Sequence, residues 1–303
     1  MITFPLLATL CMIGADPLSP GDHERTVHVG GLTRGYLIHV PPAYDGKKPV
    51  PVVLAFHGGG SNAEQMVEFC GLNNKADKEG FIVVYPKGSG RFEKIATWNA
   101  GNCCGYAMRR EIDDVAFVKA LLDDLEQTVR VDPKRVYATG MSNGAMISYR
   151  LASELSERIA AIAPVGGPMG TATCSPKRPV SVIHFHGGND QFAPFHGGKG
   201  EKSISGTDFY SVEHSIQAWI KANGCQDKPK TEKLPNTVDD GTSIIRTTYG
   251  GGRDGVEVVL ILIEGGGHTW PGRESRFAFL GKTTKNISAN DAMWEFFQKH
   301  PLK

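Results

Sequence analysis

Residues 136–146 read VYATGMSNGAM and place one serine, Ser142, two residues from a glycine on either side. The apolar, β-branched run before it predicts a strand over Val136–Thr139, and the apolar spacing after it predicts a helix over Ala145–Leu155. A sharp turn from strand to helix exposes a serine hydroxyl at the edge of a sheet, and small residues are needed beside it because strand and helix approach closely. The stretch is therefore typical of a nucleophile elbow.

Strand and helix patterns alternate along the rest of the chain. Strands are predicted at Thr26–Val29, Gly35–Val40, Val50–Phe56, Phe81–Tyr85, Ala161–Val165, Val180–His186 and Val256–Ile263. Helices are predicted at Ala63–Glu79, Ile112–Val129, Val212–Asn223 and Ala289–Lys299. Middle runs such as PVVLAF are continuously apolar, which indicates strands buried on both faces. We predict a mostly parallel sheet with helices on both faces and an antiparallel N-terminal edge.

The content and spacing of charged residues limit the kinds of binding partner that are expected. The 303 residues include 33 Lys and Arg against 32 Asp and Glu, without a block of like charge. Nucleic acid and anionic membranes need a clustered basic surface, so neither is expected as the main partner. No internal repeat or long linker divides the chain, and residues 25–301 are predicted to form one domain. Residues 191–210 and 227–242 are polar and are predicted to be surface loops.

The N-terminal residues 1–15, MITFPLLATLCMIGA, form an apolar run of signal-peptide length. The run is too short to span a bilayer, so stable membrane insertion is not expected. It lacks the Lys or Arg usual at the start of a signal peptide, and a disordered start is the alternative. We predict a signal peptide and therefore a secreted or extracytoplasmic protein.

Five cysteines would remain after removal of residues 1–15, namely Cys70, Cys103, Cys104, Cys174 and Cys225. Because the number is odd, at least one thiol is expected to stay free or to bond to another chain. The adjacent Cys103 and Cys104 could bond to each other, or one could reach a distant partner. Adjacent cysteines lack the spacing of a structural zinc site, and no metal is predicted.

A nucleophilic serine needs a base, and the base needs an orienting carboxylate. His268 follows a strong predicted strand in the glycine-rich loop LIEGGGHTWPG, and Asp190 ends VIHFHGGND after another. The order Ser142, Asp190, His268 is the order of the α/β-hydrolase triad. Other residues of the right type lack a strand end beneath them or have a helix-start explanation: His23, His300, Asp113, Asp114, Asp239 and Asp240.

Donors for a tetrahedral oxyanion are predicted at two places. The loop LAFHGGGSN follows the third strand and offers the backbone N–H of Gly58 or Gly59, while Asn143 directly follows the nucleophile. The loop is not a phosphate-binding loop because Lys-Ser/Thr is missing. His184 and His186 alternate on one strand and could suit a metal, but without a third ligand they are better explained as buried, hydrogen-bonded histidines.

Seven motifs together resemble the secreted polyhydroxybutyrate depolymerases and feruloyl esterases, which are akin to carbohydrate esterase family one and have the α/β-hydrolase fold. They are FHGGG, WNAGNCCGYA, EIDDVAFVKALLDDL, GMSNGAM, HFHGGND, KANGC and GGGHTWPG. The resemblance implies the same triad, and it implies that Trp98 and Trp270 lie near the site, where they could flank substrate or simply pack in the core. Family members often pair the cysteine at Cys225 with a second one near Tyr249, which this chain lacks, so Cys225 is expected to be free.

The function predicted on this basis is carboxylic ester hydrolysis through an acyl-enzyme, without a cofactor. The resemblance implies feruloyl or acetyl esters of plant polysaccharide, or a polyhydroxyalkanoate-type polyester, as substrate. A serine peptidase is one alternative, since the fold supports both reactions, but it would normally need an additional cap or domain. A non-catalytic cell-envelope binding protein is another alternative, which a missing triad residue would favour.

Overall fold

The structure, a computed structural model, describes residues 18–92, 94–275 and 277–303. The strands are β1 (Gly21–Val29), β2 (Leu32–Val40), β3 (Val50–Phe56), β4 (Ile82–Pro86), β5 (Ser89–Phe92), β6 (Ile95–Thr97), β7 (Val131–Met141), β8 (Ala161–Val165), β9 (Ser181–Gly187), β10 (Gly198–Lys199), β11 (Asp208–Phe209), β12 (Lys230–Lys233), β13 (Ser243–Tyr249) and β14 (Val258–Glu264). The helices are α1 (Ala63–Cys70), α2 (Leu72–Glu79), α3 (Gly105–Arg109), α4 (Asp114–Thr128), α5 (Asn143–Glu154), α6 (Val212–Asn223) and α7 (Ala289–Lys299).

Ten strands form one sheet in the order β1-β2-β4-β3-β7-β8-β9-β14-β13-β12. The six from β4 to β14 in that order pair in parallel, and the strands outside them on both sides pair antiparallel. The β1–β2 hairpin forms the predicted antiparallel N-terminal edge. The predicted α/β-hydrolase architecture is confirmed.

Two cores lie on opposite faces of the sheet. Along β3, Val52, Leu54 and Phe56 belong to one core, whereas Val53 and Ala55 belong to the other, because neighbouring residues of a strand point to opposite faces. Helices α4, α5 and α6 cover the first core, and α1, α2 and α7 cover the second. Burial on both faces explains the continuously apolar sequence of the central strands.

The structure corrects the sequence predictions in three regions. One is the segment 191–210, predicted to be a loop, which contains the short antiparallel pair β10 and β11. The helix predicted over Ala63–Glu79 is divided at Gly71, which has a φ of 61° and ends α1. The segment 227–242, predicted to be a loop, contains β12, which pairs with the unpredicted β13 at the edge of the sheet. Both strands carry many polar residues and lack a clear apolar alternation. Only β12 lies at the edge, where a strand needs little burial, and β13 pairs with β14 on its other side.

The cysteine predictions are resolved for the described residues. Cys103 and Cys104 bond to each other, while Cys70, Cys174 and Cys225 are free thiols. The expected free thiol, and the expected free Cys225, are confirmed. The predicted signal peptide lies outside the described residues. Within them, no helix has both the length and the apolar character needed to cross a membrane.

Candidate active site

Ser142 occupies the turn between β7 and α5 with a φ of 57° and a ψ of −119°. A positive φ is costly for a residue with a side chain and persists only where the surrounding structure enforces it. A Cβ atom added at Gly144 would lie 2.1 Å from the Phe56 carbonyl oxygen, and one at Gly140 would lie 2.5 Å from the Gly144 carbonyl oxygen. Both glycines are therefore required by close packing, and the turn has the geometry of a nucleophile elbow.

Asp190 and His268 lie after the neighbouring parallel strands β9 and β14. His268 Nδ1 is 2.7 Å from Asp190 Oδ2. The other carboxylate oxygen, Oδ1, accepts the N–H groups of Phe192 at 2.8 Å and Ala193 at 2.9 Å. The carboxylate is thus held at both oxygens, and both side chains are almost fully buried.

The loop after β8 connects this pair to the elbow. A Cβ added at Gly166 would lie 3.4 Å from His268 Nδ1, and one added at Gly167 would lie 2.2 Å from the Ser142 carbonyl oxygen. Ser142, Asp190 and His268 therefore lie at the same edge of the sheet, with the loop after β8 packed against both the elbow and the imidazole.

The electrostatics favour an ionised Asp190. Burial by itself would raise the pKa of this carboxyl group, but His268, through its charge and its hydrogen bond, outweighs burial, with help from His186 and the Ala193 N–H. The pKa of Asp190 consequently lies below its ordinary value. An ionised carboxylate at this position can orient a histidine and stabilise it when it takes up a proton.

The glycine loop after β3 runs over the elbow. A Cβ added at Gly58 would lie 3.6 Å from the Ser142 Cβ, and one added at Gly59 would lie 3.5 Å from the Asn143 Cβ. Among the described residues, neither the Gly58 nor the Gly59 N–H has a hydrogen-bond acceptor. The loop therefore brings free backbone donors next to Ser142, which is the arrangement an oxyanion hole needs.

His57 anchors this loop from beneath. Its Nδ1 donates to the Gly58 carbonyl oxygen at 2.8 Å, and its Nε2 accepts the Gly88 N–H at 3.0 Å. Burial lowers the pKa of His57 to about 4, against a smaller opposing effect of the Gly58 carbonyl. His57 is therefore neutral near pH 7, with its proton on Nδ1. His57 was not predicted from the sequence, although its position directly before Gly58 and Gly59 indicates a residue that could hold the glycine loop.

The two tryptophans lie in the core. Trp98 and Trp270 are 0% and 1% exposed, so of the two alternatives left open by the sequence the structure favours core packing over contact with substrate. Trp98 Nε1 donates to the His57 carbonyl oxygen at 2.9 Å, and Trp270 Nε1 donates to Asn290 Oδ1 at 2.9 Å. Their indole groups support the loops that carry the site.

Three phenylalanines that were not selected from the sequence form a row that begins at His268. The Phe192 ring stacks on the imidazole with centroids 5.0 Å apart, Phe279 lies 6.1 Å from Phe192, and Phe277 lies 5.5 Å from Phe279. Phe277 and Phe279 are 53% and 57% exposed. We call these residues the aromatic strip. The available sequence signal was the presence of Phe277 and Phe279 two residues apart, outside any predicted strand or helix. Neighbouring aromatic side chains that are exposed usually mark a binding surface.

The segment that carries Phe277 and Phe279 also fixes the loop of His268. The N–H of His268 donates to the Leu280 carbonyl oxygen at 2.7 Å, and the N–H of Gly267 donates to that of Lys282 at 2.9 Å. Two backbone bonds thus tie the exposed rings to the histidine. The segment of the aromatic strip is therefore joined directly to the loop of the candidate site.

Comparison with known proteins identifies the chain's family. The model of the family described as "Esterase PHB depolymerase" matches residues 34–190, slightly more than half of the chain. The chain belongs to this family. The chain is therefore a carboxylic ester hydrolase. The matched segment includes Gly58, Ser142 and Asp190, and family membership favours an enzyme over the non-catalytic alternative.

Individual relatives agree with this assignment. The esterase is 33% identical over 285 residues to NocK of Nocardia uniformis subsp. tsuyamanensis, a protein named as an esterase, covering 90% of this chain and 81% of NocK. It is 28% identical over 244 residues to feruloyl esterase B of Piromyces equi, covering 78% of this chain but only 42% of that relative. The fold resembles that of the acetyl xylan esterase from Aspergillus awamori, with a TM-score of 0.59 at 17% identity over 91% of this chain and 99% of that one.

Proposed function

We propose that this esterase acts through a covalent acyl-enzyme formed on Ser142. The Ser142 oxygen attacks the ester carbonyl carbon while His268 takes the hydroxyl proton, and Asp190 stabilises the protonated imidazole. The imidazole then gives that proton to the departing alcohol. Water, activated by the same histidine, releases the acid and regenerates the serine. The positive φ of Ser142 beside a hydrogen-bonded Asp190–His268 pair is the observation that carries this proposal.

The proposed oxyanion hole consists of the N–H of Asn143 with that of Gly58 or Gly59. The unbonded state of the two glycine N–H groups and their position over the elbow support it. Asn143 also begins α5, whose N-terminus carries a partial positive charge. These donors would stabilise the oxygen as it becomes negative, and one such donor is typically worth about 3 kcal/mol.

An aromatic surface and a polar groove support an ester of an aromatic acid with a sugar alcohol. On the His268 side, the aromatic strip offers rings against which a planar acyl group such as feruloyl could stack. Trp98, which bonds the Asn143 side chain, is followed by Asn99 at the rim of a separate groove of about 960 Å³. The lining of this groove includes Asn99, Asn102, Glu111, Arg150 and Tyr210 but none of the three proposed catalytic residues. Such amide, charged and phenolic groups suit hydroxyl-rich ligands. We therefore favour feruloylated plant polysaccharide as the substrate.

A polyester is the second candidate, and one observation favours it. The aromatic strip extends from His268 to Phe277 and is more than half exposed at its outer end, which would suit an apolar chain longer than one acyl group. A peptide substrate has no comparable support from the described residues.

Export of the enzyme is part of the proposal. The apolar run at residues 1–15 and the disulfide between Cys103 and Cys104 both support it, since disulfides persist mainly in oxidising compartments. Mass spectrometry of protein recovered from culture medium tests it, because cleavage would remove the apolar run. Full-length protein retained inside the cells would contradict export.

The function is tested with purified enzyme on two substrates in parallel, feruloylated arabinoxylan and soluble hydroxybutyrate oligomers, with Ser142→Ala as the control. We expect ferulate release that is lost in the control. Hydroxybutyrate release alone would replace the favoured substrate with the polyester. A fluorophosphonate probe should label wild type and not Ser142→Ala, and a folded wild type that resists the probe would overturn the acyl-enzyme mechanism.

A further inference from the structure

A chain of buried polar side chains lies behind Asp190 and is not used by the proposed mechanism. Tyr149 OH lies 2.9 Å from His184 Nδ1, and His184 Nε2 lies 3.0 Å from His186 Nδ1. His186 Nε2 then lies 2.7 Å from the Ala193 carbonyl oxygen. All three polar side chains are buried beneath the sheet edge that carries the site.

The direction of every bond in this chain follows from its last acceptor. A carbonyl oxygen can only accept, so His186 must carry its proton on Nε2 and accept at Nδ1. His184 must then donate from Nε2 and accept at Nδ1, which leaves Tyr149 as the donor at the far end. Burial lowers the pKa of both histidines, in agreement with two neutral rings that each have one donor and one acceptor.

The chain ends on the residue that holds the carboxylate. Ala193 donates its N–H to Asp190 Oδ1 at 2.9 Å and accepts from His186 at its carbonyl oxygen. In addition, His186 Nε2 lies 3.6 Å from Asp190 Oδ2, the oxygen that accepts from His268. The proton on His186 Nε2 therefore faces two acceptors, and the opposite tautomer would direct a lone pair at both of them.

We propose that His186, whose tautomer is set by the Ala193 carbonyl oxygen, is a positioning residue for Asp190. The inference rests on the proposed function, because it assigns His186 a role in setting the carboxylate that orients His268. His186 does not touch substrate. It fixes the turn from Asp190 to Ala193 so that the carboxylate points at the imidazole.

The test compares three variants of the purified full chain. His186→Phe keeps a ring of similar shape but removes both nitrogen atoms, and His186→Gln keeps an N–H near the position of Nε2. Tyr149→Phe is the matched control, since it removes one buried hydrogen bond from the far end and leaves the His186 to Ala193 bond in place. Turnover of a small soluble ester is measured against pH and divided by the concentration of active sites found with the fluorophosphonate probe.

We expect His186→Phe to lower kcat by about 10- to 100-fold with little change in KM, because misplacement of a catalytic group by about 1 Å costs on that order. The acid limb of its kcat/KM profile should move to lower pH, since a displaced Asp190 stabilises protonated His268 less. The charged or titratable groups that face this carboxylate are His268 and His186. His186→Gln should recover most of the activity, and Tyr149→Phe should keep the wild-type profile.

Wild-type kcat and an unmoved acid limb in folded His186→Phe would overturn the proposal. A folded His186→Gln variant as impaired as His186→Phe would also overturn it, and this variant keeps the test valid if His186→Phe does not fold. The low-field NMR signal of the proton between His268 and Asp190 gives a readout that needs no turnover. It should persist in Tyr149→Phe and shift or vanish in His186→Phe, even if the acyl-enzyme mechanism fails.

Discussion

The Asn143 side chain and the Trp98 main chain are joined by two hydrogen bonds. Asn143 Oδ1 accepts the Trp98 N–H at 2.7 Å, and Asn143 Nδ2 donates to the Trp98 carbonyl oxygen at 3.1 Å. Asn143 is only 2% exposed, and its own N–H is a proposed oxyanion donor. The residue after the nucleophile is therefore fixed through its side chain as well as through the start of α5.

Replacement of Asn143 by alanine should lower both stability and kcat. The buried Trp98 N–H left without a partner costs about 1–3 kcal/mol, whereas the Trp98 carbonyl oxygen keeps the Cys104 N–H at 3.0 Å. A displaced oxyanion donor should lower kcat by about tenfold or more. Urea unfolding and turnover of a soluble ester measure the two effects. Asn223→Ala is the control, because the buried Asn223 side chain makes the same pair of bonds with the Val180 main chain, accepting the N–H at 3.0 Å and donating to the carbonyl oxygen at 2.7 Å. A kcat unchanged in Asn143→Ala would contradict the role of this contact.

Gly144→Ala should prevent the elbow from forming. The added methyl group would lie 2.1 Å from the Phe56 carbonyl oxygen and 2.6 Å from that of His57, so backbone must move. We expect a large drop in the thermal unfolding midpoint and loss of labelling by fluorophosphonate. Gly250→Ala is the matched control, since a Cβ there would meet nothing within 4 Å. Normal labelling of Gly144→Ala would show that the turn tolerates a side chain.

Asp190→Asn should lower kcat by about 10⁴-fold while leaving the fold intact. An amide at this position preserves the shape but no longer stabilises a protonated imidazole, and the equivalent change in a serine protease has an effect of this size. Steady-state kinetics and circular dichroism provide the measurement. A decrease of less than tenfold would point to another carboxylate as the partner of His268.

Buried neutral histidines should make the enzyme lose stability in mild acid. The pKa of His57 is lowered to about 4 by burial, whereas an exposed histidine in the unfolded chain has a pKa of about 6.5. Between these values only the unfolded state binds the proton, so the free energy of unfolding falls by about 1.4 kcal/mol per pH unit for this group as pH decreases. His184 and His186 act in the same direction.

Urea unfolding midpoints between pH 5 and pH 7.5 measure this effect. His57→Gln should reduce the slope of stability against pH, although it lowers stability at neutral pH. An identical slope in the variant would mean that His57 takes up a proton in the folded enzyme.

Phe279→Ala should raise KM for feruloyl esters by several-fold and leave acetyl esters nearly unaffected. The ring lies 6.1 Å from Phe192 and is 57% exposed, so its loss removes contact area for a large acyl group and little else. Phe92→Ala is the control, because Phe92 is 64% exposed on β5, outside the aromatic strip. Equal effects of the two substitutions on feruloyl esters would argue against a substrate contact at Phe279.

The sequence allowed the central sheet and the order of the candidate catalytic residues to be predicted, and both for the same physical reason. Strands buried on both faces must be apolar throughout, and a serine on a strained turn must have small neighbours. Each requirement restricts which residues can occur within a short segment, so it can be recognised in the sequence, as at Val50–Phe56 and at Gly140–Gly144. The division of α1 from α2 at Gly71 was also marked locally, but a single glycine is compatible with a continuous helix.

Features that depend on distant contacts could not be predicted. Lys230–Lys233 forms a strand because β13 offers it a free edge, and its own residues are all polar. Trp98 and Trp270 are in motifs near the site, yet only the packing reveals that they support loops rather than face substrate. Phe192 and Phe279 are separated widely in the chain and become neighbours through the return of the segment after His268.

The order of the sheet also has a consequence for synthesis on the ribosome. Ser142 follows β7, but the histidine proposed to activate it follows β14, which pairs with β9 and enters the sheet only after every strand between them has been made. During translation the chain therefore contains Ser142 long before it contains His268, the proposed base. If the proposed mechanism holds, such a chain would not hydrolyse esters until translation passes His268, so hydrolysis would report that the last strand of the parallel set has been made.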